Sequence, residues 1–453
     1  MRNTKDLTEG NIYKNFFLFA IPLVLSQLLS LSYNIFDSMI AGKFINNFAV
    51  GAVGATYSFD LLLLTMFLGF AVGFSIYISR KFGEKNFLKI RNDIINMLIF
   101  MGSLIIIVGF VCVLLSEPII DLFKVDDEIR KDATTYFVIH KMGLLFIIIN
   151  GVFVHIMNSL GASGYSFLMS ALSAVLNVTG NLLFVIGFNM KIEGLALATV
   201  LSAAVVSIFF VIKLVVIFKE FNLEKGSFKI SFACIPDTIK YSLPTCLQQI
   251  VMYTSGLIIT PTINALGPTA TTGYTVAYKI FNVPSEVYFS ASRTVGVYTA
   301  QSIGAKKYDG IQKGLFVGLF QSLILSLPFL LVCCVFTGQV ASIFFEDGYT
   351  GEAFNFAVMF GSYYLPFVVV NVINNICHNF FRGLKKMGLL IISTAVGSAS
   401  KLLFTFMLVP FMQLQGVFLG WTLSWFAEAI FCIIVYLVLF RTKEKVIKVA
   451  MNS

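Results

Sequence analysis

Residues 94–115 read IINMLIFMGSLIIIVGFVCVLL, without one charged side chain. Coiled as a helix rising about 1.5 Å per residue, the run spans the roughly 30 Å of bilayer hydrocarbon. As a helix in water it has no polar face to offer the solvent. Similar runs recur along the 453 residues, of which 58% are apolar and 12% charged, with a mean hydropathy of +0.88. That composition excludes a water-soluble enzyme, a disordered chain and a disulfide scaffold.

The sequence predicts twelve spans. They cover 15–41, 48–79, 94–115, 133–159, 166–188, 193–217, 238–262, 270–303, 312–336, 353–381, 388–410 and 415–440. Helices are expected, because a helix satisfies its own backbone hydrogen bonds in lipid, and the runs lack the alternating polarity of barrel strands. MRNTKDLTEGNIYKN precedes the first run, which shows no small-residue cleavage site and reads as a retained span.

The basic residues fix an orientation. Arg80, Lys81, Lys85, Lys89 and Arg91 follow span 2, Lys306, Lys307 and Lys313 follow span 8, and Arg382, Lys385 and Lys386 follow span 10. More lie in both termini and in the central linker, on the same side. The opposite side holds only Lys43, Lys124, Arg130, Lys131 and Lys191. By the positive-inside rule both termini are cytoplasmic, which predicts a multi-pass protein of the cell (inner or plasma) membrane. The formal charge of +9 is then a topology signal, and no nucleic-acid partner is expected.

The chain also repeats itself at an offset of about 222 residues. Pro22 meets Pro244, Gln27 meets Gln249, Gly51 meets Gly273, Gly161 meets Gly383 and Gly194 meets Gly416. One residue out of register, FGEK at 82–85 meets IGAK at 303–306. The predicted fold is all-α and integral to the membrane, with two parallel six-helix repeats related by an axis along the membrane normal. The N-lobe is 1–218 and the C-lobe 219–453, with a linker at about 219–236.

An intramembrane charge costs about 2.5–3.5 kcal/mol on insertion scales, so each one needs a reason. The sequence reading finds Asp37, Asp60, Lys279, Glu286, Arg293, Lys401 and Glu428, with His155 and His378 near inner helix ends. Asp37 has Tyr33 and Asn34 one turn before it on the same face. A carboxylate so flanked can take a proton or a small cation, or it can snorkel to the outer surface. Asn177 and Asn181 form an i, i+4 pair in span 5, and Thr199 of span 6 is placed to join them. They serve either as an ion-binding group or as hydrogen-bonding glue between helices. Lys279, Glu286 and Arg293 repeat every seven residues along one face of span 8. They are a candidate C-lobe site or a set of structural ion pairs. Lys401 and Glu428 stand mid-span on consecutive helices and are expected to pair. The tally of four acids against three bases favours cationic cargo. Pro22, Pro284, Pro328 and Pro366 each free a carbonyl and permit a bend.

Seven cysteines lie mostly inside apolar runs and form no CxxC pair, so no disulfide or metal site is expected. No GxxxxGK[ST], HExxH or GxSxG constellation is present, which argues for neither an ATP-driven pump nor an enzyme.

Several segments resemble the multidrug and toxic compound extrusion family in its bacterial branch. They are IPLVLSQLLSLSYNIFDSMIAG (21–42), VGAVGAT (50–56), FGEKN (82–86), LGASG (160–164), VLNVTGNLLFVIG (175–187), EGLALATVLS (193–202) and AQSIGAKKYDGIQKG (300–314). The resemblance covers nearly the whole chain. It implies a V-shaped pair of six-helix bundles, acting as a secondary antiporter. The implied activity is export of drugs or organic cations in exchange for H⁺ or Na⁺, by a monomer without another cofactor. It assigns ion coupling to Asp37 and bending to Pro22. Asn177, Tyr136 and Thr199 match polar positions of the family's N-lobe site. Position 181 is Asn where the family often has Asp, which removes one carboxylate from that site. A related exporter or flippase of a lipid-linked metabolite is the alternative, and a membrane receptor or scaffold a more distant one.

Overall fold

The computed structural model describes residues 4–40, 44–45, 57–123, 125, 127–221, 231–345 and 350–451. Each of the twelve predicted runs is mainly helical where described. We number the helices α1 (Ile12–Ile40), α2 (Tyr57–Gly83) and α3 (Phe87–Leu114). Helix α4 comes in two pieces, Asp127–Met142 and Leu144–Ser159, bent by 53°. Helix α5 (Ser163–Asn181) ends in a π-helical turn, Leu182–Gly187, before α6 (Lys191–Glu220). The second repeat holds α7 (Ile235–Asn264), α8 (Pro268–Gly304) and α9 (Ile311–Val335). Helix α10 starts as Glu352–Met359, passes through π and 3₁₀ turns, and continues as Val368–Gly383. The last two are α11 (Met387–Met412) and α12 (Leu414–Leu439).

Among the described residues, nine helices are long and apolar enough to cross a membrane, and the bent α4 pair makes a tenth. The other two, α7 and α8, are 30 and 37 residues long. Their length suffices, but their polar content is higher, because these helices carry polar groups into the protein interior. The surface runs the other way. On α3, Ile106, Ile107, Phe110 and Leu114 are all more than half exposed, whereas Asn374 and Gln321 are fully buried. Apolar side chains outside and hydrogen-bonded polar ones inside is the pattern that hydrocarbon surroundings impose.

The repeat is visible in backbone geometry. Helix α2 ends with Lys85 at φ 55°, its N–H bonded to Phe82 O and that of Asn86 to Lys81 O. Helix α8 ends the same way: Lys306 has φ 55°, with Lys306 N–H on Ile303 O and Lys307 N–H on Ser302 O. The ends of α4 and α10 repeat the pattern at Gly161 and Lys385. Each is a left-handed residue closing a helix through paired 5→2 and 6→1 hydrogen bonds. The second and fourth helices of each repeat therefore stop by the same device.

By contacts the chain forms two compact units, one of residues 1–6 and 25–242, the other of 7–24 and 243–453. These differ from the repeat boundaries in two segments. The first half of α1 groups with the second unit, where Phe16 meets Tyr298 edge-on at 5.1 Å and Gln321 Nε2 donates to Phe16 O at 2.9 Å. The start of α7 groups with the first unit, where Tyr241 meets Tyr77 at 5.8 Å and Ser231 N–H bonds Asn96 Oδ1 at 3.1 Å. The two switches fall beside Pro22 and Pro244, the repeat-matched prolines.

Two glycines mark close approaches in the first unit. At Gly143, between the halves of α4, an added Cβ would collide with the Val200 side chain of α6. At Gly73 a Cβ would run into the backbone of Tyr241 and Ser242. Backbone cannot yield as a side-chain tip can, so Gly73→Ala is expected to cost about 1–3 kcal/mol, the usual price of overpacking. Gly256→Ala, which meets nothing within 4 Å, is the matched control. Thermal melts of the detergent-solubilised protein should show a lowered transition for the first and none for the second.

Candidate functional site

In the first unit, polar side chains gather where α2, α4, α5 and α6 pack together. Asp60 stands in the first turn of α2, and Lys141 in the last turn of the first piece of α4. A cation is favoured at a helix C-terminus and an anion at an N-terminus, so both ends suit their charges. Lys141, with no exposed side-chain surface, forms an ion pair with Asp60. His140 Nδ1 lies 3.6 Å from Asp60 Oδ2 and 3.5 Å from Lys141 Nζ. The ammonium also stands 4.7 Å from the Phe137 ring centre and 5.9 Å from that of Phe59. Aromatic faces attract a desolvated cation in this way. Tyr136, one of the predicted site residues, stacks on His140 with ring centres 5.5 Å apart.

The predicted trio of α5 and α6 is brought together. Asn181 Nδ2 donates to Asn177 Oδ1 at 3.2 Å, and Asn177 Nδ2 donates to Thr199 Oγ1 at 3.1 Å. Thr199 in turn donates to Leu195 O at 3.3 Å. The chain runs in one direction, from the end of α5 to the backbone of α6. It ties the two helices at the point where α5 gives way to its π-helical turn. Both asparagines are buried. Their amides donate where the resemblance leads one to look for a carboxylate at 181, so the trio presents neutral oxygens only.

Tyr33, Asn34 and Asp37 lie on α1, and their side chains fall outside the described residues. The helix passes through Pro22 without a break.

In the second unit, Lys279, Glu286 and Arg293 share α8 but do not form ion pairs with one another among the described residues. Lys279 is exposed, its ammonium 5.1 Å from the Phe344 ring centre. Glu286 and Arg293 are half-buried. The pairing expected between Lys401 and Glu428 does not form. Lys401 lies 4.7 Å over the Trp421 ring, and Glu428 instead meets His378 Nε2 at 2.8 Å. Helix spacing alone cannot choose between two partners on neighbouring helices.

The sequence reading passes over Asp93, Lys141 and Arg382, which the structure buries, and His140, which it buries in part; Asp93 accepts from the Tyr77 hydroxyl at 2.7 Å. His140 and Lys141 stand inside the predicted run 133–159, and an ionisable pair in an apolar run is the signal that finds them. Arg382, counted above with the loop charges, is 7% exposed and bonds Asn379 Oδ1 and Gln248 Oε1. Its burial depends on partners from another helix, which local hydropathy does not see. Counting Lys141 and Arg382 removes the excess of acids in the intramembrane tally.

Comparison with known proteins fits this geometry. A family profile described as MatE matches the chain twice, at residues 22–183 and 244–407, one match in each repeat. The probable multidrug resistance protein YpnP of Bacillus subtilis is 26% identical over 302 residues, 66% of this chain and 67% of that protein. Among solved structures, a MOP-superfamily transporter from Pyrococcus furiosus, described as having a binding pocket of reversed polarity that suggests a different function, superposes with a TM-score of 0.89. A crystal structure of a MATE protein in complex with MaD3S superposes with a TM-score of 0.88. Both are 18% identical to this chain and cover 100% of each partner, so they speak for the fold.

The Asp60–Lys141 pair makes a direct prediction. Lys141→Met leaves a carboxylate without its cation in an apolar setting, a loss of about 3–5 kcal/mol. Removing both charges in Asp60→Asn/Lys141→Met should restore most of that stability. Thermal melts of the two variants in one detergent check it, and equal melts would show that the charges are not coupled.

Proposed function

Because the chain belongs to the multidrug and toxic compound extrusion family, whose profile occupies both of its repeats, we propose that it is a secondary antiporter. It exports drugs or organic cations in exchange for H⁺ or Na⁺ by alternating access. The double match of the profile carries this reading, and the multidrug naming of its relative supports it. The placement of Lys and Arg supports a plasma-membrane protein with cytoplasmic termini.

The coupling residue in this scheme is Asp37. Asp60 is engaged by Lys141 and Glu428 by His378, so among the acids of the spans these two already have partners. Asp37 takes H⁺ or Na⁺ and loses its charge, and α1 bends near Pro22. The same scheme assigns Asn177, Asn181 and Thr199 to the polar side of that site and counts Tyr33, Asn34 and Tyr136 as its further members. An ion shifts the balance of two states only by its differential affinity for them. A difference of about 3 kcal/mol biases the ratio roughly 150-fold. In the second unit Glu286, between Lys279 and Arg293, is the other carboxylate offered to a cation.

Asp37→Asn keeps the size of the side chain and removes the titrating group. In proteoliposomes it should abolish dye efflux driven by an imposed ion gradient while leaving the protein folded. Undiminished gradient-driven efflux by this variant would remove Asp37 from the coupling step.

A further inference from the structure

Four buried side chains of the second unit form one hydrogen-bonded file across α7, α10 and α12. Arg382 Nη2 donates to Gln248 Oε1 at 2.6 Å, Gln248 Nε2 lies 3.4 Å from His378 Nδ1, and His378 Nε2 lies 2.8 Å from Glu428 Oε1. All four are less than 9% exposed. Their donors and acceptors follow from chemistry. A guanidinium only donates, so the Gln248 atom facing it is the oxygen, and the amide nitrogen faces the imidazole. That nitrogen has only hydrogens to offer, so Nδ1 is a bare acceptor and the ring hydrogen sits on Nε2.

Thr394 of α11 points to the same assignment. Its hydroxyl donates to Leu390 O at 3.0 Å and stands 3.4 Å from His378 Nε2. With its one proton used, it can only accept from Nε2–H. His378 is thus a neutral ring donating to Glu428, and the file ends in opposite charges, Arg382 positive and Glu428 negative. Helix α11 closes tightly over the acid, because a Cβ at Gly397 would lie 2.6 Å from Glu428 Oε2.

We propose that His378 is a proton-binding site of the second unit, and that filling it releases α7 from α10. A solvent proton adds to the Nδ1 lone pair, and Glu428 holds the resulting imidazolium. The new N–H then meets the Gln248 amide hydrogens donor to donor. Gln248 must turn away, and Arg382 loses the acceptor that Gln248 provides. The ionisable groups around the file act on its two ends: Glu428 is felt by Tyr288 of α8 and Cys432 of α12, and Arg293 of α8 acts on Arg382. Among the described residues, Glu428 is the carboxylate within ion-pair distance of His378, at 2.8 Å. The proton site stands on hydrogen-bond polarity. Only its use, as a step in exchange, rests on the transport reading.

The chain has three histidines, 140, 155 and 378, which makes the test direct. Full-length protein labelled with ¹⁵N-histidine is placed in nanodiscs, and the His378 signals are assigned by their loss in His378→Gln. Should that variant fail to fold, His140→Gln and His155→Gln assign them by exclusion. The ring is followed from about pH 8 to about pH 5, and the expected result is a neutral Nε2–H ring that takes up a second ring proton. An Nδ1–H tautomer, or a ring that stays in one charge state across this range, overturns the proposal. The two tryptophans, Trp421 and Trp425, both lie on α12 near Glu428. Their fluorescence should change over the same pH interval in the wild type and stay flat in His378→Gln. If the wild type moves no cargo under either ion gradient, the transport reading fails while the NMR result still decides the site.

Discussion

A hydrogen-bonding group placed in hydrocarbon has no water to fall back on, and nearly everything in this structure answers to that constraint. Backbone groups meet it by coiling into helices. Polar side chains meet it by finding one another: Asn181 finds Asn177, Asn177 finds Thr199, and Arg382 finds Gln248. Charges meet it beside chosen partners: Asp60 pairs with Lys141, and Glu428 faces the His378 imidazole. Lys401 and Lys279 rest on aromatic faces.

The repeat distributes these solutions unevenly. The helix-ending turns recur after α2 and α8 and after α4 and α10, so the backbone frame is held in common. The polar interiors are not. Asp60, His140 and Lys141 gather in the first unit between α2 and α4, whereas His378, Arg382, Gln248 and Glu428 join α7, α10 and α12 in the second. A duplicated frame with two different polar interiors gives each half its own chemistry. The first half of α1 and the start of α7 each pack in the unit opposite to their own repeat, and both switches fall beside a matched proline. A proline frees a carbonyl from the helix ladder and lowers the resistance to bending there.

The twelve helices and the repeat were legible in the sequence because hydropathy and spacing are properties of one segment at a time. The trio Asn177, Asn181 and Thr199 was legible too, since its first two members share a helix face and polar groups in lipid must meet others. Partner choice was not. Lys401 and Glu428 sit at comparable depth on neighbouring helices, yet each takes a different neighbour, a choice set by side-chain packing across helices. Arg382 reads as a loop charge because it follows an apolar run. Only the amide of Gln248, 134 residues away, makes its burial tolerable. The π-helical turns after Asn181 and at Phe360–Tyr364 leave no mark in hydropathy at all.

The central claim is that an ion gradient drives cargo through this protein. Purified wild-type protein in sealed liposomes, given a fluorescent organic cation at equal concentration on both sides, tests it most directly. A proton or a sodium gradient, imposed separately, should make the cation accumulate on one side, and collapsing that gradient with an ionophore should return it to equality. A cation that stays evenly distributed under both gradients, in protein shown to be folded, would contradict the account.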